Sequence, residues 1–243
     1  MIDLHCHILP GLDDGSGSLE ESLEMAALAA SQGIRHIAAT PHCITGSVRE
    51  VRSHVDMLRE LLQEERIPVQ IYPGMEIFGT YDTARLLREK KLLTINDSRY
   101  VLIEFSFHTD GEAETEILHS VLSSGYTPLV AHPERYDYIN RQPELMNRWK
   151  QMGCLFQINR GSLLGRYGLH AKRMSLELVR RGFATVVATD AHSPINRAPR
   201  ARDVYELLCT EFSPETADTL MRLNPHQILT DKLLPPGQPD WFE

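Results

Sequence analysis

Short β-type runs alternate with helical stretches along all 243 residues, and this alternation constrains the fold more than any other feature. Ile2 to His7 reads as a strand, and Ser18 with Glu21 has the spacing of a capping box opening a helix that Gly33 ends. A strand at Ile34 to Thr40, a helix from about Ser47 to Glu65 and a strand at Val69 to Glu76 follow. Further strands are predicted at Tyr100 to Phe105, Thr127 to Ala131, Cys154 to Ile158 and Ala184 to Thr189. Between them run helices ending near Gly125 and Gly153 and one over Leu169 to Arg181, and C-terminal helices come last. About seven βα units imply a parallel sheet, either a barrel or an open doubly wound sheet. A hydrophobic content of 42% can bury a full core, so one α/β domain over residues 1–243 is expected. Residues 234–243, with the segment PPGQPDWFE, are expected to form a flexible tail.

Charge and composition narrow the function. A net charge of -8 opposes attraction to nucleic acid, whose binding depends on Lys and Arg neutralising phosphates. A small or peptide substrate fits better. No run approaches the roughly 20 apolar residues of a membrane span, and the start MIDLHCHILP lacks the form of a signal peptide, so a cytoplasmic protein without membrane insertion is expected. Cys6, Cys43, Cys154 and Cys209 form no CxxC pair and fit reduced thiols.

The chemistry starts in the first strand. With side chains alternating at period two, Ile2, Leu4, Cys6 and Ile8 share one face, and Asp3, His5 and His7 the other. His5 and His7 then point the same way, close enough to share a metal ion. Further residues of metal-binding type recur at the ends of later strands: His42, Glu76, Glu104, His132, Asp190 and His192. In parallel α/β proteins that carboxyl end is where loops converge on a ligand. Taken singly, each residue reads equally as a cap, a salt bridge or a solvated side chain; their joint placement points to a site. Five imidazoles and several carboxylates exceed the needs of one ion, so two or three are implied, and mixed N/O donors suit Mn, Fe, Zn or Mg. Such ions could generate a hydroxide near neutral pH and balance charge in phosphoryl transfer, without a covalent intermediate. Arg135 in HPERYD and Arg197 in DAHSPINR could clamp a phosphoryl group. Tyr136, Asn159 and His108 lie near the same mouth and receive no role.

These residues carry a resemblance. MIDLHCH, the LDDG that holds Asp14, TPH with His42, GMEI with Glu76, LIEFS with Glu104, AHPERYD and ATDAH together resemble the PHP (polymerase and histidinol phosphatase) superfamily. Closer still is the similarity to its bacterial manganese-dependent protein-tyrosine phosphatases encoded with capsule and exopolysaccharide genes, nearly end to end. The resemblance implies a distorted seven-stranded (β/α) barrel with a trinuclear site, hydrolysing phosphotyrosine on the tail of a tyrosine autokinase. It implies metal ligands at His5, His7, Asp14, His42, Glu76, Glu104, His132, Asp190 and His192, with Mn2+ as the expected ion and Fe, Zn, Mg or Co as other candidates. It places Arg135 and Arg197 in the substrate pocket. Asp14 enters through the resemblance alone, because DDG also makes an ordinary turn; Asp13 is expected to keep that structural role.

A rival is written in the same chain. Residues 42–49, HCITGSVR, fit HCxxGxxR, the phosphate-binding loop of cysteine-dependent tyrosine phosphatases, with Cys43 as nucleophile. That reading leaves the other imidazoles and carboxylates without purpose, and Glu50 replaces the usual hydroxyl residue after the arginine. Histidinol-phosphate hydrolysis, and a non-catalytic barrel that binds a kinase, are the remaining alternatives.

Overall fold

The computed structural model describes residues 1–42, 48–234, 237 and 239–243. Among them the strands are β1 (Ile2–Cys6), β2 (His36–Ala39), β3 (Gln70–Pro73), β4 (Ile77–Phe78), β5 (Tyr100–Glu104), β6 (Thr127–Ala131), β7 (Leu155–Asn159) and β8 (Val186–Ala188). Every pairing is parallel. The strands form a three-stranded sheet, β1-β2-β3, and a five-stranded sheet, β4-β5-β6-β7-β8. Isolated bridges join Cys6 to Ala191 and His42 to Glu76.

The strand expected over Val69 to Glu76 is broken. Its pairing with β2 ends at Ala39 and Pro73, and β4 begins only at Ile77, now paired with β5. Pro73 has no N–H to extend the ladder, and a Cβ on the next residue, Gly74, would lie 3.1 Å from the Thr40 side chain. The chain therefore moves from one sheet to the other at the residues that carry Glu76. The observed architecture is a parallel α/β fold of two sheets; seven separate strands are not what the ladders show.

Strand side chains divide between two core clusters. In β5, Val101 and Ile103 belong to the larger cluster, while Tyr100 and Leu102 belong to the smaller one. β1 breaks this alternation: Ile2 and Leu4 lie in the smaller cluster, Cys6 and Ile8 in the larger. The switch coincides with a register shift against β2 between Asp3 and Cys6. One extra residue there changes the phase, so the strict two-face reading of residues 2–8 is corrected, although His5 and His7 still point together.

Helices pack outside the sheets. Ser18 caps the helix Leu19–Ser31 by accepting from the Glu21 N–H, and Glu21 reaches back to the N–H of Gly17 at 2.8 Å. The helix Val48–Glu64 buries Val51, Val55, Leu58 and Leu62, a three-and-four spacing that keeps them on one stripe. Residues 239–243 have partners: Trp241 and Phe242 pack their rings against Phe183, and Phe242 exchanges two backbone hydrogen bonds with the Asn147 side chain. Aromatic residues give this end of the chain apolar area to bury, which its Pro and Gly content conceals. No helix of the described residues is long and apolar enough to cross a membrane.

Candidate metal centre

The sequence brings residues at the ends of six strands to a single cluster. His5 lies in β1 and His7 just beyond it; His42 follows β2, Glu76 precedes β4, Glu104 ends β5, His132 follows β6, and Asp190 and His192 follow β8. Their donor atoms form four groups, each within 4.8 Å: His7, Asp14, His42 and His192; His5, His7 and Asp190; His5, Glu76 and His132; and His42, Glu76 and Glu104. All nine residues implied by the resemblance are brought together.

Glu76 is the hub. Its Oε2 lies 3.0 Å from His5 Nε2, 3.2 Å from His7 Nε2 and 3.2 Å from His42 Nδ1, and its Oε1 is 3.0 Å from His132 Nε2. Glu104 Oε1 is 3.0 Å from the same His42 nitrogen. On the other side, exposed Asp14 lies 3.4 Å from His192 Nε2 and 3.6 Å from His42 Nε2. Asp190 Oδ1 faces His5, His7 and His192 at 3.5 to 3.6 Å.

Two of these residues sit on unusual backbone. His132 has φ of +35° and Asp190 +51°, a left-handed conformation that non-glycine residues rarely adopt. His132 is the first residue past β6 and Asp190 the second past β8, so each sits in the turn that leaves a strand end. Strain of this kind, on the order of 1 kcal/mol or more per residue, persists where surrounding contacts enforce it.

The tautomers of the innermost imidazoles are set from behind. His5 Nδ1 meets Gln157 Oε1 at 2.9 Å, and His7 Nδ1 meets Asp13 Oδ2 at 2.6 Å. Both Nε2 atoms are thereby turned inward, 3.2 Å apart. An outward N–H held by a carboxylate or amide oxygen, with the other nitrogen facing a carboxylate cluster, is how metal-ligating histidines are oriented. These residues fit divalent cations.

The charge balance agrees. Burial alone would lower the affinity of His7 for a proton, but Asp13 and Glu76 outweigh it and carry this imidazole up to about 10. Burial opposes ionisation of Asp190 as well, yet His5 and Arg197 draw it down to about 2. His192 is pushed down to about 4 by burial and by the neighbouring His7 charge. Ionised carboxylates at this density need cationic partners, whether imidazolium protons or metal ions.

Both predicted arginines meet the cluster at one atom. Arg197 Nη2 is 2.6 Å and Arg135 Nη1 3.5 Å from Asp190 Oδ2. The Arg135 guanidinium lies between the rings of Phe107 and Tyr167, 4.8 and 4.3 Å from their centroids. A cavity of about 280 Å³ opens beside it, lined by Phe107, His108, Arg135, Tyr167 and His170. His108 is paired with Asp137 there, and buried Tyr136 donates to the Ala131 carbonyl while accepting from the Phe105 N–H, a structural duty. The Tyr136 phenol ties the ends of β5 and β6.

Sequence reasoning missed the supporting shell. Asp13, read only as a turn residue, also orients His7 and accepts from the His42 N–H at 2.8 Å. Gln157 and Asp3 were not singled out; a buried amide within the apolar run of β7 was the available signal for the first. Asp3 accepts from the Thr189 N–H at 3.0 Å and from its hydroxyl, tying β1 to the residue before Asp190. Cys43, the nucleophile of the rival reading, lies outside the described residues. Cys6, Cys154 and Cys209 are free thiols, and burial raises the Cys6 thiol well above its usual range.

A parallel α/β fold with imidazoles and carboxylates converging on shared positions at its strand ends defines a metal-dependent hydrolase. The chain belongs to the CpsB/CapC family of capsular polysaccharide synthesis, whose model matches residues 1–230. It is 40% identical over 220 residues to the tyrosine-protein phosphatase YwqE of Bacillus subtilis, covering 88% of this chain and 86% of that one. It is 33% identical over 243 residues to the tyrosine-protein phosphatase CpsB of Streptococcus pneumoniae, covering 96% and 100%. The fold superposes on a solved structure from a study of YwqE and CpsB, described as unique metal-dependent tyrosine phosphatases, with a TM-score of 0.94, 36% identity and full coverage of both chains. A D-hydantoinase at 11% identity and a TM-score of 0.54 shares the fold alone.

Proposed function

We propose that this protein is a metal-dependent protein-tyrosine phosphatase acting on the phosphotyrosine tail of a tyrosine autokinase that controls capsular or exopolysaccharide synthesis, in the cytoplasm. The observation that carries the reading is Asp190: one carboxylate oxygen faces the imidazole cluster and the other meets both arginines. The ligand cluster that would hold cations thus lies beside a guanidinium clamp, an arrangement that suits phosphoryl transfer.

His5, His7, Asp14, His42, Glu76, Glu104, His132, Asp190 and His192 would hold two or three ions, manganese being favoured and Fe, Zn, Mg or Co also suiting the donors. Bound divalent ions would supply a hydroxide at neutral pH to attack phosphorus and would balance charge on the attacking and leaving oxygens. Arg135 and Arg197 bind the phosphoryl oxygens, and the Phe107 and Tyr167 rings orient the planar Arg135 fork. We read the fold as one domain and as a distorted seven-stranded barrel: β3 and β4 then count as one interrupted strand, and the bridge from Cys6 to Ala191 supports closure between β1 and β8.

The experiment is phosphotyrosine-peptide hydrolysis by wild type and Cys43→Ser, each before and after chelation and after return of Mn2+. Activity retained by Cys43→Ser, lost on chelation and recovered with Mn2+ supports the reading. A dead Cys43→Ser beside a chelator-insensitive wild type replaces it with the thiolate mechanism. Faster turnover of histidinol phosphate than of phosphopeptide would keep the metals and change the substrate.

A further inference from the structure

Asp190 has two oxygens with different surroundings, and a residue outside the ligand set separates them. Oδ1 faces His5, His7 and His192, whereas Oδ2 accepts from Asn159 Nδ2 at 2.5 Å and from Arg197 at 2.6 Å. Asn159 is the last residue of β7 and is fully buried. Three further contacts fix it: its Oδ1 caps the next helical turn by accepting from the Gly161 N–H at 2.8 Å, its backbone N–H donates to Glu134 Oε1 at 2.9 Å, and its strand neighbour in β8 is Ala188. With Oδ1 committed to the Gly161 N–H, the amide orientation is settled and the NH2 group must point at Asp190.

The arginines cannot hold Asp190 alone. Their guanidinium groups are also the phosphoryl clamp, and Arg197 is about one third exposed, so a bound phosphoryl group competes for the same N–H donors. Asn159 makes no such exchange, because every polar atom of its amide is used inside the protein. A carboxylate on strained left-handed backbone, at φ +51°, needs that fixed donor to stay oriented when the arginines turn to substrate.

We propose that Asn159 is a positioning residue for the metal centre: its amide N–H holds Asp190 Oδ2 so that Oδ1 stays with the ions while Arg135 and Arg197 engage the phosphoryl group. The proposal rests on the metal-dependent reading above. Glu134 belongs to the same device, since it sits between His132 and Arg135 and anchors the Asn159 backbone from a fully buried position.

The test uses Asn159→Asp, which keeps the cap on Gly161 but turns the donor into a carboxylate, and Asn159→Ala. Mn2+ binding is measured directly on chelator-stripped protein, alongside thermal melting and the kinetics of a phosphotyrosine peptide. Both variants are expected to melt as folded proteins, to bind Mn2+ about 10- to 100-fold more weakly at one or more sites, and to lose kcat with a smaller change in KM than Arg197→Ala. In an Asp190→Ala background, Asn159→Ala should weaken Mn2+ binding little further. Wild-type Mn2+ affinity and kcat in either folded variant overturn the proposal, as does a lowered melting temperature with unchanged Mn2+ binding, which marks a purely structural role. A wild type that binds no Mn2+ overturns the metal reading instead.

Discussion

His7 Nδ1 lies 2.6 Å from Asp13 Oδ2, and this contact decides which nitrogen of His7 is offered to the cluster. The same carboxylate oxygen takes the His42 N–H at 2.8 Å, so one buried aspartate registers two imidazole residues against each other. The His7 hydrogen bond overrides burial and holds Asp13 down at about 2. Asp13→Asn should therefore lower metal affinity about 10- to 100-fold with the fold retained, read by metal titration and circular dichroism. Undiminished affinity would return Asp13 to its turn.

Gly15 is expected to be irreplaceable for a related reason. A Cβ there would lie 2.3 Å from the His7 carbonyl oxygen and 2.5 Å from the His7 Cβ. The carbonyl is backbone, held by the Ser16 N–H at 3.0 Å, and cannot retreat as a surface side chain would. Gly15→Ala should displace His7 and reduce both metal content and kcat by at least about 10-fold, measured by elemental analysis and phosphopeptide hydrolysis.

Arg197→Ala and Arg135→Ala should leave metal content near that of wild type while lowering kcat/KM by about 10² or more, the scale found when one donor to developing charge is removed. Arg135→Lys should recover little, because an ammonium neither spreads between the Phe107 and Tyr167 rings nor offers a planar fork. Unchanged kinetics in both alanine variants would make them ordinary ion-pair partners of Asp190.

Metal should stabilise as well as activate. The unfolded chain cannot hold nine donors together, so ions bind the folded state preferentially. At free Mn2+ about 100 times its Kd, stabilisation of about 2.7 kcal/mol per site is expected, seen as a higher Tm that chelation removes. A Tm indifferent to chelator would show that the cluster binds no ion.

Away from the site, Asp203 pairs with the buried guanidinium of Arg160, and both bonds of the fork are made. Burial opposes ionisation of Asp203, but Arg160 prevails and keeps its carboxyl below the ordinary value of 3.8. A carboxyl with a lowered folded-state value contributes stability fully above the unfolded value, and that contribution fades as pH falls through the folded one. Asp203→Asn should cost about 2 kcal/mol at pH 7, because Arg160 is left buried while the half-exposed Asp203 position admits water. The difference from wild type should shrink below pH 4, which urea denaturation at both pH values would show.

By itself, the sequence determined the parallel α/β architecture, because hydrophobic period and chain punctuation are local properties. It also determined the ligand types at the strand ends: each of His5, His42, Glu104, His132 and Asp190 falls at or just past the end of a strand, and parallel strands finish on one side, while Glu76 falls in the break between β3 and β4. The register shift in β1 and the break between β3 and β4 were decided by tertiary structure, since both depend on which neighbour a backbone group finds. The supporting shell was decided there too. Asp13 bonds the ring of a residue six positions away, Gln157 meets His5 across 152 residues, and Asp3 reaches Thr189 across 186. A hydrogen bond between residues so far apart leaves no periodic trace in the chain; only folding, which brings β1 beside β8 and Gln157 of β7 within reach of His5, gives those polar side chains their partners.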